Sequence, residues 1–581
     1  MRALSRFIPS IHWIATYKPG DLRGDAAAGL TTAIMLIPQA MAYAMLAGLP
    51  PIIGLYASIV PLVVYALLGT SRHTAMGPVA TVSLLVASGV GALAQGGTER
   101  YLQLAISLAL LVGVVQLAMG VLRLGYITNF LSQPVLSGFN SATALIIGFS
   151  QVKHLMGIKL ESSHAVHDVV IEASQRLGEV HWTTLAIGVS SIAALMALKK
   201  WKPMFPGALT VVVLSTLAVW GFGLDAMGVQ IVGDVPAGLP SPSIPMLDPG
   251  VMGDLLPTAL TIALVGFVQS ISVAKAFARQ DKVEVDADQE LIAMGAANLV
   301  GSFFRIFPVT GGFGRTAVNA QAGARTPLAG LLTAVVVALG LLFFTPLFHF
   351  LPQAVLAAII MTAVFGLIDV QQVAHLWRVK RSDLALLVLT FAATLSLGIE
   401  PGLAVGVGAS LLWFVIRSTR PHFAVLGRVP GTQAFRNLKH FPEARTWRGV
   451  LIVRMDAQFY FGNVSFLKER LQTLVAEAAE PVCTIIVDAG SINQLDASAD
   501  AALHELLTDF EARKIRLLFA GVKGPVREVM KRSGLYGRIG ANHFFFEIQD
   551  AVDCAVGVQG AGCSEADYGR GDDAHDHAAA A

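Results

Sequence analysis

The chain has 581 residues, of which 54% are hydrophobic and only 14% charged, against about 45–50% and about 25% in ordinary soluble domains. A net charge of +2 gives no support to nucleic-acid binding. Cys483, Cys554 and Cys563 have neither metal-ligand spacing nor the pattern of a disulfide framework, so free thiols and no metal site are expected.

Residues 1–24 carry scattered Arg2, Arg6, Lys18 and Arg23 but no short apolar core followed by a cleavage site, so they read as a cytoplasmic segment and not a signal peptide. Apolar segments then recur at residues 25–46, 52–68, 76–93, 101–120, 126–149, 182–198 and 205–222. A second set follows at 255–276, 286–304, 312–322, 327–347, 352–369, 383–397 and 401–416. These are fourteen expected spans, seven per half, in an all-α membrane domain at residues 25–418. Because seven is odd, the second half must run through the bilayer in the opposite sense, as an inverted repeat. With a cytoplasmic N-terminus, the inner loops hold Arg72, Arg123, Lys199, Lys200, Lys202, Lys275 to Lys282, Arg325, Arg378 to Arg381, Arg417 and Arg420. The short outer turns 47–51 and 398–402 hold no Lys or Arg, as the positive-inside rule requires. The long 151–181 segment, which carries several charges, is the exception.

Beyond the spans, residues 419–448 are polar and proline-containing and read as a linker. Residues 449–557 read as a small soluble α/β domain, with strands at Val450–Val453, Thr484–Val487 and Ile515–Ala520 and helices at Val464–Ala479 and Ala499–Arg513. Residues 558–581, rich in Gly, Ala and Asp, are expected to be disordered, and His575 and His577 there do not make a metal site.

One stretch does not fit an ordinary span. Phe307 to Asn319 contains Pro308, Gly311, Gly312, Gly314 and Arg315 within an apolar region. Proline cannot donate to a helix ladder and glycine weakens one, so an extended approach followed by a new helix near Arg315 is expected. Irregular backbone at membrane depth is tolerated only where it is buried in protein or lines a cavity. A helix that begins there aims unpaired N–H groups and the positive end of its dipole into the cavity, and Arg315 adds a full charge. The expected ligand is an anion. Pro78 and Val79 in the earlier stretch Met76–Val82 match Pro308 and Val309, and the same offset lays Leu30–Ala33 onto Leu260–Ala263 and Gln39 onto Gln269. Leu131–Leu136 also resembles Leu351–Leu356, so the membrane part reads as an internal duplication whose paired breaks mark a transport site.

The stretches Ile37–Tyr43, Leu46–Pro51, Gly54–Ala57 and Gly69–Arg72 with Gly77-Pro78 resemble the sulfate permease (SulP) family, and Leu495–Ala499 resembles the turn of a STAS domain. The resemblance extends over about residues 21–556. It implies a core domain moving against a gate domain, homodimers, and a cytoplasmic STAS domain, in a multi-pass protein of the inner membrane with both termini cytoplasmic. It also implies an anion site drawn from the first, third, eighth and tenth spans, the third and tenth being half-helices. In this chain those positions are Gln39, Tyr43, Val79, Ala80, Thr81, Gln269, Phe313, Gly314, Arg315 and Thr316. Two departures stand out: many relatives have Ser at Gly314, and many coupled relatives have an acid at Gln269. A regulatory phosphosite at Ser498 is also implied, beside the alternative that this serine is a helix cap. For Gln39 and Gln269 the alternative is inter-helix hydrogen bonding, for Tyr43 packing, and for Arg315 a cytoplasmic anchor. Glu400 and Asp383 read as interfacial.

The function expected is secondary active transport of a small inorganic anion, sulfate first, by exchange or uniport, since no Asp or Glu falls within residues 30–47, 77–96, 255–280 or 306–323. Bicarbonate, chloride or dicarboxylate transport, a passive anion channel and a non-transporting sensor are the alternatives. No cofactor is expected, and no enzymatic constellation is present in the sequence.

Overall fold

The computed structural model describes residues 9–126, 132–158, 166–201, 205–281 and 284–557. The chain divides into two compact units, Met1–Ser410 and Leu411–Ala581.

The first unit is helical. Its first half contains α1 (Leu22–Leu46), α2 (Pro51–Tyr56), α3 (Val60–Leu68), the two-residue strand β1 (Met76–Gly77), α4 (Ala80–Gly91), α5 (Glu99–Val121), α6 (Gln133–Ser150), α7 (Trp182–Trp201) and α8 (Gly207–Phe222). Its second half contains α9 (Pro249–Asp281), α10 (Ala287–Ser302), β2 (Thr310–Gly311), α11 (Phe313–Gln321), α12 (Leu328–Phe343), α13 (Gln353–Val364), α14 (Arg381–Leu397) and α15 (Ile399–Thr419), the last running on into the second unit. A helix coincides with each expected span, with one substantial change. The 52–68 segment is two helices, because the chain turns at residues 57–59 and Pro61 then opens α3. Among the described residues eight helical segments are long and apolar enough to cross a membrane, and α4, α8 and α12 are shorter apolar helices.

Two sets of helix contacts stand out, each drawing on both halves of the chain and joined where α1 packs on α13. In one, α5 packs on α9 and α10, α10 on α3, and α12 on α1. In the other, α6 packs on α13 and α14, and α7 on α13. Small residues set the closest approach: a Cβ on Gly113 of α5 would lie 2.5 Å from Leu299 N, and one on Gly295 of α10 would lie 2.5 Å from Leu117 N. Those helices therefore touch backbone to backbone, as membrane helices without a hydrophobic driving force do. Pro38 lies inside α1 and removes one ladder hydrogen bond one residue before Gln39.

The second unit is a six-stranded sheet in the order β4-β3-β5-β6-β7-β8. It comprises β3 (Phe423–Arg428), β4 (Phe435–Asn437), β5 (Val450–Met455), β6 (Thr484–Asp488), β7 (Arg516–Ala520) and β8 (Phe544–Phe545). Strands β5 to β8 are parallel and β3 is antiparallel to both its neighbours. Alternation decides the layers. Val453, Val487 and Phe519 face one core with α16 (Val464–Ala476) and α17 (Ala497–Ala512), while Ile452, Ile486 and Leu518 face another with α18 (Ile548–Gly557). The residues 419–448 expected as a linker instead supply β3 and β4. Ala424 and Leu426 alternate into the sheet's core, a two-residue signal that the flanking prolines and charges mask in the sequence. Cys554 carries a free thiol, and Cys563 lies outside the described residues. The tail expected to be disordered lies outside the described residues.

Candidate functional site

The two breaks meet. Strands β1 and β2 pair antiparallel, Met76 with Gly311 and Gly77 with Thr310. They come from equivalent places in the two halves, and antiparallel pairing is the relation that a two-fold axis between the halves produces. Strand β1 leads into α4 through Pro78 and the extended Val79, and β2 into α11 through the extended Gly312 alone; neither Val79 nor Gly312 caps its helix with a side chain. The first N–H to close a helical turn is Ser83 in α4, on Val79 O, and Thr316 in α11, on Gly312 O. The preceding N–H groups of both helices stand outside the ladders. Helix α11 begins at Phe313, two residues before the position expected.

Arg315 stands between the strands. It is 3% exposed, and its Nη1 donates to Pro78 O at 2.6 Å, while Nε and Nη2 are buried without a partner. A Cβ on Gly312 would come within 2.8 Å of the guanidinium carbon and one on Gly77 within 3.3 Å of Nη2, so the two glycines make the slot that admits it. Gly77 has φ +152, a conformation that side-chain-bearing residues rarely adopt. A buried cation with two unanswered donor atoms is costly by itself and is a ready partner for an anion. The position of Arg315 in this slot rules out the reading of a cytoplasmic anchor reaching toward solvent.

Around it, Thr316 Oγ1 accepts from Ala75 N at 3.1 Å, which ties α11 to the approach to β1. Thr81 Oγ1 donates to Gln269 Oε1 at 3.0 Å. Phe313 is 65% exposed and Gly314 is exposed, so the start of α11 borders open space; Gly314 offers only its backbone. Val79 is half-buried, Ala80 and Tyr43 are buried, and Tyr43 lies within electrostatic reach of Arg315. Gln39 is half-buried one turn before Tyr43, and among the described residues no hydrogen bond ties it to the others. The structure thus brings together α4, α9 and α11, with Tyr43 close by and Gln39 one turn from Tyr43 on the same helix.

The residues that brace the breaks are absent from the sequence reading. Asn298 in α10 donates to Val309 O at 3.0 Å and accepts from Val309 N at 2.8 Å, doing for β2 what a neighbouring strand would, and Gln116 of α5 accepts from the same amide at 3.1 Å. Glu290 is fully buried. It accepts from Tyr65 Oη at 2.6 Å, from Thr70 N and Oγ1 at 2.7 Å each and from Ser71 N at 3.1 Å. Ser71 Oγ in turn accepts from Thr74 N and Oγ1, so the Gly69–Arg72 stretch holds the start of β1 in place. The available signal was a polar residue in a mostly apolar helix, which marks inter-helix hydrogen bonding as readily as a site. Glu400 accepts from Thr258 Oγ1 of α9 at 2.8 Å. In the soluble unit the cap of α17 is Asp496, whose carboxylate accepts from Ala499 N and Phe461 N at 2.8 Å each. Ser498 is therefore not the cap; it lies exposed in the first helical turn.

The profile of the Sulfate permease family matches residues 22–390 and that of the STAS domain residues 441–551. The chain is 39% identical over 571 residues to sulfate transporter 4.1, chloroplastic, of Arabidopsis thaliana, covering 95% of this chain and 83% of that protein. It is 37% identical over 544 residues to the probable sulfate transporter Rv1739c of Mycobacterium tuberculosis, covering 94% of this chain and 97% of that one. Among solved structures it resembles the murine Slc26a9 anion transporter in the inward-facing state, with a TM-score of 0.89 and 26% identity over 95% of this chain and 94% of that chain.

Proposed function

The chain belongs to the sulfate permease family and carries a STAS domain, and on that premise we propose that it transports a small inorganic anion, sulfate first, across the inner membrane by alternating access. The observation that carries the reading is the buried, half-unpartnered Arg315 between two helix N-termini. Each helix start contributes about half a positive charge, so two of them with one guanidinium supply roughly +2, the complement of a sulfate dianion. The anion takes hydrogen bonds from the first-turn N–H groups of α4 and α11 and from Arg315 Nη2, with Thr81 and Gln269 beside it and Gln39 and Tyr43 on the wall.

In this reading the chain crosses the bilayer fourteen times in a seven-plus-seven inverted repeat with both termini cytoplasmic, and α4 and α11 with their strands are half-helices that reach only mid-membrane. The group braced by α5 and α10 carries the site as the core, and the group around α6, α13 and α14 is the gate. Their relative movement exposes the site to one side and then the other. The protein works as a homodimer, and its STAS unit is cytoplasmic. Exchange or uniport is favoured because Glu290 and Glu400 are engaged by protein hydroxyls and N–H groups and Gln269 does not titrate. Ser498, exposed on the STAS unit near Asp496 and Asp500, remains a candidate phosphosite.

The test is uptake of radiolabelled sulfate by the purified protein in liposomes, with bicarbonate, chloride and dicarboxylates as competitors. Saturable uptake that is accelerated by sulfate on the far side supports a transporter. Non-saturable flux indicates a channel, and stimulation by an inward proton gradient at clamped potential refutes exchange or uniport.

A further inference from the structure

Asn140, in the middle of α6, hydrogen-bonds Gln269 of α9. Helix α6 packs on α13 and α14, in the group that does not carry the breaks. Asn140 Oδ1 accepts from Gln269 Nε2 at 3.3 Å, and the other end of the same amide, Gln269 Oε1, accepts from Thr81 Oγ1 at 3.0 Å. The result is a chain of three side chains, Thr81–Gln269–Asn140, that joins the first turn of α4 to α6. A threonine hydroxyl has a single hydrogen, so while it points at Gln269 it cannot point at an anion. The Gln269 amide is oriented that way because Asn140 holds its nitrogen end. Helical spacing places Ser137, three residues before Asn140, on the same face of α6, and it is buried.

We propose that Asn140 is a positioning residue that keeps the empty anion site self-satisfied. By fixing the Gln269 amide it engages the Thr81 hydroxyl internally, and an anion that recruits Thr81 Oγ1–H and a Gln269 N–H has to break the chain. Breaking it also severs a polar tie between the two helix groups, so occupancy of the site and their freedom to move are linked through this one amide. The inference rests on the anion site proposed above and adds to it the residue that opposes binding.

The consequence runs against the usual effect of deleting a polar residue near a site. Asn140→Ala removes the internal competitor, so sulfate binds more tightly. One net hydrogen bond of about 0.5–1.5 kcal/mol corresponds to a roughly 2- to 10-fold lower Kd. The experiment is equilibrium binding of radiolabelled sulfate to the purified full-length protein, comparing wild type, Asn140→Ala, Gln269→Ala, the double variant and Arg315→Ala. Asn140→Leu, closer in volume, serves as a second variant should alanine impair folding. The expected result is tighter binding in Asn140→Ala and no further gain from Asn140→Ala once Gln269 is alanine. Unchanged or weaker binding in both folded Asn140 variants overturns the proposal, as does a gain that persists without Gln269. If Arg315→Ala binds as wild type does, the site itself is wrong and the proposal falls with it. An Arg315 effect without an Asn140 effect overturns this proposal alone.

Discussion

Replacing Arg315 with alanine separates its two consequences, one for anion binding and one for folding. In the anion-free protein the guanidinium makes one hydrogen bond, to Pro78 O, and leaves Nε and Nη2 buried without partners. Removing it strands one carbonyl at a cost of about 1–3 kcal/mol, but it also removes a buried unpaired cation whose effective burial penalty is several kcal/mol. The anion-free variant is therefore expected to unfold at the same temperature as wild type or higher. Binding moves the other way. Loss of a charge-assisted contact of about 1.5–3 kcal/mol weakens the anion roughly 10- to 150-fold. At an anion concentration of about 100 times the wild-type Kd, ligand stabilisation of ~2.7 kcal/mol then falls to ~0.3–1.4 kcal/mol. The assay is thermal unfolding of both proteins in detergent with and without sulfate, alongside tracer uptake. A variant that folds and keeps the full sulfate-induced shift would refute the role given to Arg315. A variant destabilised without sulfate would show that the arginine braces the strands instead of serving the ligand.

Glutamate at Gln269 places a titratable group beside Thr81; it is neutral in acid and repels the anion once ionised, so uptake by Gln269→Glu should fall as pH rises while the wild type stays flat, and a flat profile in the variant contradicts this. Glu290→Ala leaves Thr70 N and Ser71 N without their acceptor, at about 1–3 kcal/mol each, and should lower the unfolding temperature and abolish binding, with Glu290→Gln milder because it keeps one carbonyl acceptor; an alanine variant as stable as wild type would show that the Gly69–Arg72 stretch needs no such anchor. In the STAS unit, burial works to raise the Asp456 carboxyl, but hydrogen bonds from Arg454, His422 and Ser491 and the Arg454 charge outweigh it and hold it below the usual carboxylate range. A depressed carboxyl contributes stability above its unfolded value near ~3.9 that is lost as pH falls through the folded one, so Asp456→Asn should flatten the acid-side loss of amide-exchange protection in β5. Equal acid sensitivity in both proteins would remove Asp456 from that account.

The break at Phe307–Asn319 was legible because its residue types conflict with their surroundings: proline, glycine and arginine persist in an apolar stretch only where something outweighs their cost. The duplication likewise pointed to both breaks. It gave no register, and the pairing of Met76 with Gly311 joins residues 235 positions apart, which no local pattern encodes. Asn140, Gln116 and Asn298 escaped notice because a single amide in an apolar helix looks the same whether it glues helices, braces a strand or faces a ligand. Only its partner decides. The strand at Phe423–Arg428 is hard to see in the sequence because Ala424 and Leu426 are its only side chains buried in the sheet's core, within a charged neighbourhood. Ser498 was weighed as a cap because serine and aspartate are almost equal in that role, and the choice fell to Asp496 through its second bond, to Phe461 N.

Selenate, isosteric with sulfate and visible by anomalous scattering, tests the central claim most directly. In crystals of the full-length protein grown with selenate, the account predicts an anomalous peak between the N-termini of α4 and α11, within hydrogen-bond distance of the Phe313–Arg315 N–H groups and of Arg315 Nη2. A transport-competent preparation whose selenate peak lies elsewhere, with none between those two helix starts, would contradict it.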